Sequence, residues 1–88
     1  MITQRRLPVD HFEVADRAKK NPGHWVVAGN YPSTLSAKST AHRVPTGSRM
    51  PSYRPTAYGV FEARTELADD GTDLLIRFVP ATTTAGSA

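Results

Sequence analysis

The sequence has no cysteine among its 88 residues. This absence excludes disulfide bonds, thiolate nucleophiles and every zinc or iron–sulfur site that needs a cysteine ligand. Long apolar runs are also missing, and the two arginines near the start are not followed by the apolar segment of a secretory signal. We therefore expect a cytoplasmic protein with no membrane partner.

Acidic residues are missing from the middle of the chain. No Asp or Glu lies between Arg17 and Phe61, and residues 1–54 carry nine Lys or Arg against three acids, a net charge of +6. Residues 55–88 carry two Lys or Arg against five acids, a net charge of −3. Such asymmetry indicates nucleic acid or another acidic partner, although a basic surface that only meets water is the alternative.

The first half of the chain predicts a helix followed by a strand. Asp10 is followed by Glu13 at the spacing of a capping box, and the residues behind them predict a helix over 10–20. Tryptophan and paired valines then favour a strand over 24–29. Trp25 is the only tryptophan, and we expect it to anchor a thin core.

The second half predicts a helix, a long loop and a hairpin. Small residues share one side of a helix over 34–44, with Leu35 toward the edge of that side. A proline-rich and structureless loop is expected over 45–59, and loops of that length are usually functional or mobile. An Asp-Gly turn then connects two strands. In the second strand, the residues expected to face the core are Leu74, Ile76 and Phe78.

The predicted fold is a small single α+β domain with the element order helix, strand, helix, strand, strand. Its sheet is three-stranded and mostly antiparallel, with the helices on one face. We expect a flexible N-terminal arm over 1–8, the domain over 9–79 and a disordered tail over 80–88. A thin core and an unpaired edge strand also make a homodimer possible.

Catalytic motifs are absent from the sequence. His11, His24 and His42 lack metal-ligand spacing, and neither a nucleophilic serine motif nor a phosphate-binding glycine-rich loop is present. We therefore expect no enzymatic activity, no metal and no cofactor. A metal-free ribonuclease is an alternative, because that chemistry needs only a proton-transfer group and a phosphate-binding arginine. The groups for it would be Lys38, His42, Arg43 and Tyr53.

Nucleic-acid binding is the function that the charge pattern favours most. The second helix presents basic and hydroxyl side chains on its outer side, the loop adds arginines beside a tyrosine, and the arm has an Arg-Arg pair. Neither DNA nor RNA is preferred by this pattern. The predicted contact residues are Arg5, Arg6, Lys38, Ser39, His42, Arg43, Arg49, Tyr53 and Arg54.

An acidic host protein is the alternative partner. Aromatic residues, methionine and arginine are enriched at protein interfaces, so a protein-binding module would use such side chains as anchors. The chain would then modulate or inhibit that host protein. The candidate anchors are Trp25, Met50, Tyr53 and Tyr58.

Three sequence segments resemble a group of small actinobacterial and actinophage proteins. They are the WVVAGNY, SAKSTAHRV and YRPTAYGVFEAR segments, and the likeness extends from Trp25 to about Phe78. That group has no activity to transfer, so the resemblance implies no site residue. It implies only a setting, namely a bacterial host cell and a phage or mobile element.

Overall fold

Two helices and three strands follow one another in the predicted order. The computed structural model describes residues 9–81, and its order of elements confirms the predicted α+β fold. The elements are α1 (His11–Lys20), β1 (Val26–Tyr31), α2 (Thr34–Arg43), a single 3-10 turn (Pro51–Tyr53), β2 (Gly59–Ala68) and β3 (Gly71–Pro80).

The predicted terminal segments lie mostly beyond this range. The arm over 1–8 and residues 82–88 of the tail are outside the described residues. Pro80 was assigned to the tail, but it is the last residue of β3, and the amide of Ala81 donates to the Tyr58 carbonyl at 2.8 Å. The ordered domain therefore extends slightly further than the sequence predicted.

The sheet is antiparallel throughout and has the order β1-β3-β2. β2 and β3 pair along their whole length, and Asp69 and Asp70 form the turn between them. The predicted Asp-Gly turn is thus shifted by one residue, since Gly71 pairs with Ala68 and belongs to β3. β1 pairs with the other side of β3, and its register shifts between Val27 and Gly29, as in a β-bulge.

Side-chain caps start both helices. The Asp10 carboxylate accepts from the amides of Phe12 at 3.1 Å and Glu13 at 3.2 Å, which confirms Asp10 as the N-cap of α1. Glu13 pairs with Arg17 at 3.5 Å, a contact along the helix surface. The Ser33 hydroxyl caps α2 by accepting the amide three residues later at 3.0 Å.

The core lies between the sheet and the two helices. α1 packs mainly on β3 and β1, whereas α2 packs mainly on β2 and β3. The predicted inward side chains Leu74, Ile76 and Phe78 are all buried. In β2, Phe61 faces the core, whereas its neighbour Val60 is exposed.

Trp25 does not lie in this core, so its prediction as the core anchor is wrong. Its ring is half-buried, with the guanidinium carbons of Arg64 and Arg77 at 4.6 and 4.7 Å from the ring centroid. Arg64 lies opposite Leu75 on the sheet face away from the helices. Arg77 on the same face donates to Glu62 at 2.7 Å. Trp25 therefore covers the outer face of the sheet.

The segment from residue 44 to residue 58 is folded, so the prediction of a structureless loop is wrong. Successive turns close it through main-chain hydrogen bonds. Gly47 has φ 69°, and a Cβ there would lie 2.7 Å from the Cα of Arg54, so only glycine fits. Met50 and Tyr53 are buried, so Tyr53, and not Trp25, is a large aromatic residue of the core.

An aromatic row connects this segment to the sheet. The Tyr53 ring lies 5.2 Å from the ring of His11 and 5.2 Å from that of Phe61. Phe61 in turn lies 5.1 Å from Phe78, measured between ring centroids. Edge-to-face and tilted contacts at these distances stabilise beyond the area that they bury. The row fixes the folded segment against the start of α1.

Candidate functional site

The outer side of α2 presents the polar side chains that the sequence predicted. Lys38, Ser39 and His42 are exposed there. Leu35 is 79% exposed, so its assignment to the edge of the apolar side is wrong. Thr40 is buried instead, and its hydroxyl donates to a main-chain carbonyl one turn earlier at 3.1 Å. The outer side of α2 is therefore basic but includes one exposed leucine.

The cations of residues 38–54 are not neutralised by acids. Within residues 9–81, the ion pairs lie on α1 and on the outer face of the sheet. Across this same range, none of the four cations between the second helix and its following segment pairs with a carboxylate. These cations are Lys38, Arg43, Arg49 and Arg54. Their charge is left for an external anion or for solvent.

A cavity of about 500 Å³ brings two of these cations together. It lies between the start of α1, the end of α2 and the folded segment that follows. Arg43 and Arg49 line it together with His11, Tyr31 and Met50. Pockets of this size and mixed lining are typical of small-molecule sites.

Arg43 has an unsatisfied donor in this region. Its Nε is buried and has no hydrogen-bond partner within residues 9–81. A buried polar group without a partner costs about 1–3 kcal/mol relative to a paired one. The guanidinium group offers several donors in a planar fork that suits carboxylate and phosphate oxygens. Because Nε itself is closed to solvent, an anion in the cavity would contact the guanidinium through its other nitrogens.

His11 and Tyr53 form a second polar pair beside Arg43. The Tyr53 hydroxyl lies 2.6 Å from His11 Nδ1. Burial lowers the pKa of His11, with the nearby Asp10 carboxylate opposing this effect and Arg43 adding to it. Burial also raises the pKa of the Tyr53 phenol. Both groups are therefore neutral near pH 7, and one hydrogen bond joins the phenol and Nδ1, with its direction set by the imidazole tautomer.

Tyr53 is consequently not a nucleic-acid contact, and that assignment is wrong. The side chain is fully buried and engaged with His11, so neither base stacking nor proton transfer to RNA is open to it. Arg54 is exposed but does not line the cavity. Arg5 and Arg6 lie outside the described residues.

Arg49 adopts a left-handed main-chain conformation with φ 57°. It is the only residue other than glycine with a positive φ within residues 9–81. This conformation costs roughly 1–2 kcal/mol for a residue with a Cβ, and such strain clusters at functional sites. The folded segment therefore holds Arg49 at the cavity against a local preference.

His11 and Tyr31 are cavity residues that sequence reasoning did not find. They come from α1 and β1, whereas both arginines come from the end of α2 and beyond. These segments are distant in the sequence and meet only in the folded protein. No motif spacing therefore relates them. Only the acid-free window pointed to the arginines.

Comparison with known proteins adds no relative. No protein-family model, curated protein or solved structure matches the chain. The resemblance to the actinobacterial group therefore stays a prediction. Among the described helices, none is long and apolar enough to cross a membrane. In the same part of the chain, no three His, Asp or Glu side chains group as metal ligands.

Proposed function

We propose that this protein binds nucleic acid without catalysing a reaction, through the outer side of α2 and the folded segment behind it. The observation that carries the proposal is the set of four cations over residues 38–54 that have no carboxylate partner within residues 9–81. Phosphates that replace solvent around such cations release counterions, which drives sequence-independent binding. The setting that we propose is the cytoplasm of a bacterial host, in an accessory role for a phage or mobile element.

The cations are suited to different parts of the contact. Lys38 and Arg54 are exposed and extend from separate elements, so they can follow a phosphate backbone. Ser39 and His42 lie on the same side of α2 as Lys38 and add hydrogen-bonding groups. Arg43 is half-buried, and Arg49 is held in a left-handed main-chain conformation. These two cavity arginines are therefore suited to one defined phosphate.

The test is a binding titration with labelled oligonucleotides. Fluorescence anisotropy would be measured with single-stranded and double-stranded DNA and RNA at roughly 50 and 200 mM salt. We expect log affinity to fall linearly with log salt, by about 0.7–0.9 for each phosphate contacted. Absence of binding to all four probes at the lower salt, with the protein folded by circular dichroism, would refute the proposal.

A charge-matched pair of variants locates the surface. Lys38→Gln with Arg54→Gln removes two charges from the proposed surface, and Lys19→Gln with Lys20→Gln removes two from exposed positions on α1. The first pair should weaken binding and reduce the salt slope by about 1–2, whereas the second should change both less. Equal losses of affinity in the two double variants would mean that binding depends only on the overall charge of the protein.

Binding to a host protein is a second candidate, favoured by the exposure of Tyr58. Its side chain is 82% exposed in the turn before β2. Of the other predicted anchors, Met50 and Tyr53 are buried and Trp25 is half-buried. Capture of one stoichiometric protein from nuclease-treated lysate, lost in Tyr58→Ser, would support this candidate. If the captured protein is lost when the lysate is treated with nuclease, the result would support nucleic-acid binding instead.

A further inference from the structure

The cavity combines hydrogen-bond donors with a net positive charge on its lining side chains. Arg43 and Arg49 both line it, and the Arg43 guanidinium also has a buried Nε that no acceptor within residues 9–81 satisfies. His11 adds an imidazole whose Nδ1 is already engaged by the Tyr53 hydroxyl, so only its second nitrogen remains to meet a ligand. Donors outnumber acceptors among these three side chains. The chemistry of the wall therefore favours an anion rich in acceptor oxygens.

One acid lies in the same cavity and limits its charge. Asp10 lines it beside the two arginines, so the formal charge of the lining side chains is two minus one, or +1, with His11 neutral. The Asp10 carboxylate already accepts two amides at the start of α1. These hydrogen bonds and the positive end of the helix dipole offset part of its charge. A phosphate near the arginines is therefore still favoured.

The rest of the lining is apolar and aromatic. Phe12, Tyr31 and Met50 contribute to it, and Phe12, the second residue of α1, is 66% exposed. Flat aromatic groups stack on such side chains without sequence preference. The volume of about 500 Å³ lies inside the range of about 300–1,000 Å³ that encloses small ligands. An inorganic anion alone would leave most of this space unused.

We propose that the cavity binds one nucleotide unit, with its phosphate on Arg43 and Arg49 and its base against Phe12, Tyr31 and Met50. The unit is either a free mononucleotide or the phosphorylated end of a strand, because both present the same chemistry. The proposal rests on the proposed nucleic-acid function and adds to it a defined seat for one residue of the strand. General binding by exposed cations needs no such seat.

The experiment compares ligands that differ by one group. Affinities would be measured by calorimetry for a 5′-phosphorylated single strand, the same strand with a 5′-hydroxyl, adenosine 5′-monophosphate, adenosine and inorganic phosphate. We expect the terminal phosphate to tighten strand binding about tenfold, as charge-assisted hydrogen bonds do. Adenosine 5′-monophosphate should bind more tightly than either adenosine or inorganic phosphate. In NMR spectra, the Arg43 Nε–H signal should shift on its addition.

Three variants test the seat in both directions. Arg43→Lys keeps the charge but loses the planar fork, and it should remove the advantage of the terminal phosphate. Arg17→Lys is the matched control, since it makes the same replacement at an exposed arginine of α1 that lies outside both the cavity and the proposed nucleic-acid surface. Asp10→Asn retains a residue that caps helices equally well and removes the acid, so it should bind adenosine 5′-monophosphate severalfold more tightly.

The outcomes separate this inference from the proposed function. Equal affinity for the phosphorylated and hydroxyl strands, with no binding of adenosine 5′-monophosphate, would overturn the nucleotide seat while general nucleic-acid binding stands. Binding of the mononucleotide without binding of any strand would overturn the nucleic-acid function while the seat stands. An Arg17→Lys loss equal to that of Arg43→Lys would also overturn the seat.

Discussion

The Tyr53 hydroxyl lies 2.6 Å from Nδ1 of His11, although 42 positions of sequence separate the two residues. The contact joins the first residue of α1 to the 3-10 turn of the folded segment. Both elements contribute residues to the lining of the proposed nucleotide cavity. One hydrogen bond therefore contributes to both the stability of the domain and the shape of the site.

Removal of the Tyr53 hydroxyl should destabilise the protein without opening its core. Tyr53→Phe keeps the ring between His11 and Phe61 but leaves His11 Nδ1 without its hydrogen-bond partner. We expect the free energy of unfolding to fall by about 1–2 kcal/mol, as measured by urea denaturation. Tyr58→Phe, at an exposed tyrosine, is the control and should change stability little. Equal effects of the two substitutions would show that the hydrogen bond contributes nothing specific.

The same pair predicts a pH window of maximal stability. His11 has a lowered pKa in the folded protein, so below its ordinary value of 6.5 the unfolded chain binds more protons and stability falls. Tyr53 has a raised pKa, so its contribution is complete below its ordinary value of 10.0 and is lost above it. The contributions of both groups are therefore complete between about pH 6.5 and pH 10.

Urea midpoints at about pH 5 and about pH 8 test the acid side of this window. His11→Gln should reduce the difference between the two midpoints, because the titrating group is gone. His24→Gln, a substitution at an exposed histidine, provides the control. An unchanged difference in His11→Gln would contradict the assignment of this acid dependence to His11.

Stability and binding should respond in opposite directions at Arg49. Arg49→Gly relieves the left-handed conformation but adds freedom to the unfolded chain, so we expect a stability gain of up to about 1 kcal/mol. The same change removes one phosphate contact and should weaken nucleotide binding. Ser48→Gly, next to it but without a positive φ, should lose about 0.4–1 kcal/mol. A lower stability of the Arg49→Gly variant would show that the Arg49 side chain makes favourable packing contacts.

Trp25→Ala should cost much less than a core aromatic. The tryptophan stacks with two arginines on the outer face, and such contacts contribute about 0.5–1 kcal/mol each at exposed sites. We expect a loss of about 1–2 kcal/mol, against about 3–5 kcal/mol for Phe61→Ala in the core. Urea unfolding followed by circular dichroism makes the comparison. Equal losses would place Trp25 energetically with the core.

The sequence predicted the elements well because their signals are local. The cap at Asp10 and the alternation of Leu74, Ile76 and Phe78 each depend on neighbouring positions only. Trp25 was misplaced because apolar residues occupy both faces of the strand predicted over 24–29, so composition alone does not fix which face of the sheet the ring covers. The bulge after Val27 further obscures the alternation.

The candidate site was predicted only in part. The acid-free window led to Arg43 and Arg49, since charge is visible without a structure. It also included Tyr53, whose burial depends on how the folded segment packs. His11 and Tyr31 join the cavity through contacts between distant segments, which no spacing in the sequence encodes.

The position of β3 in the sheet has a consequence for synthesis. β3 is the central strand, and both β1 and β2 pair only with it, yet it is the last of the three to be made. No strand pair of this sheet can form on the ribosome until Gly71–Pro80 has left the exit tunnel. Ribosomes add about 5–20 residues each second, so β1 waits seconds for its partner. During that interval, the main-chain hydrogen-bonding groups of β1 have no partner strand.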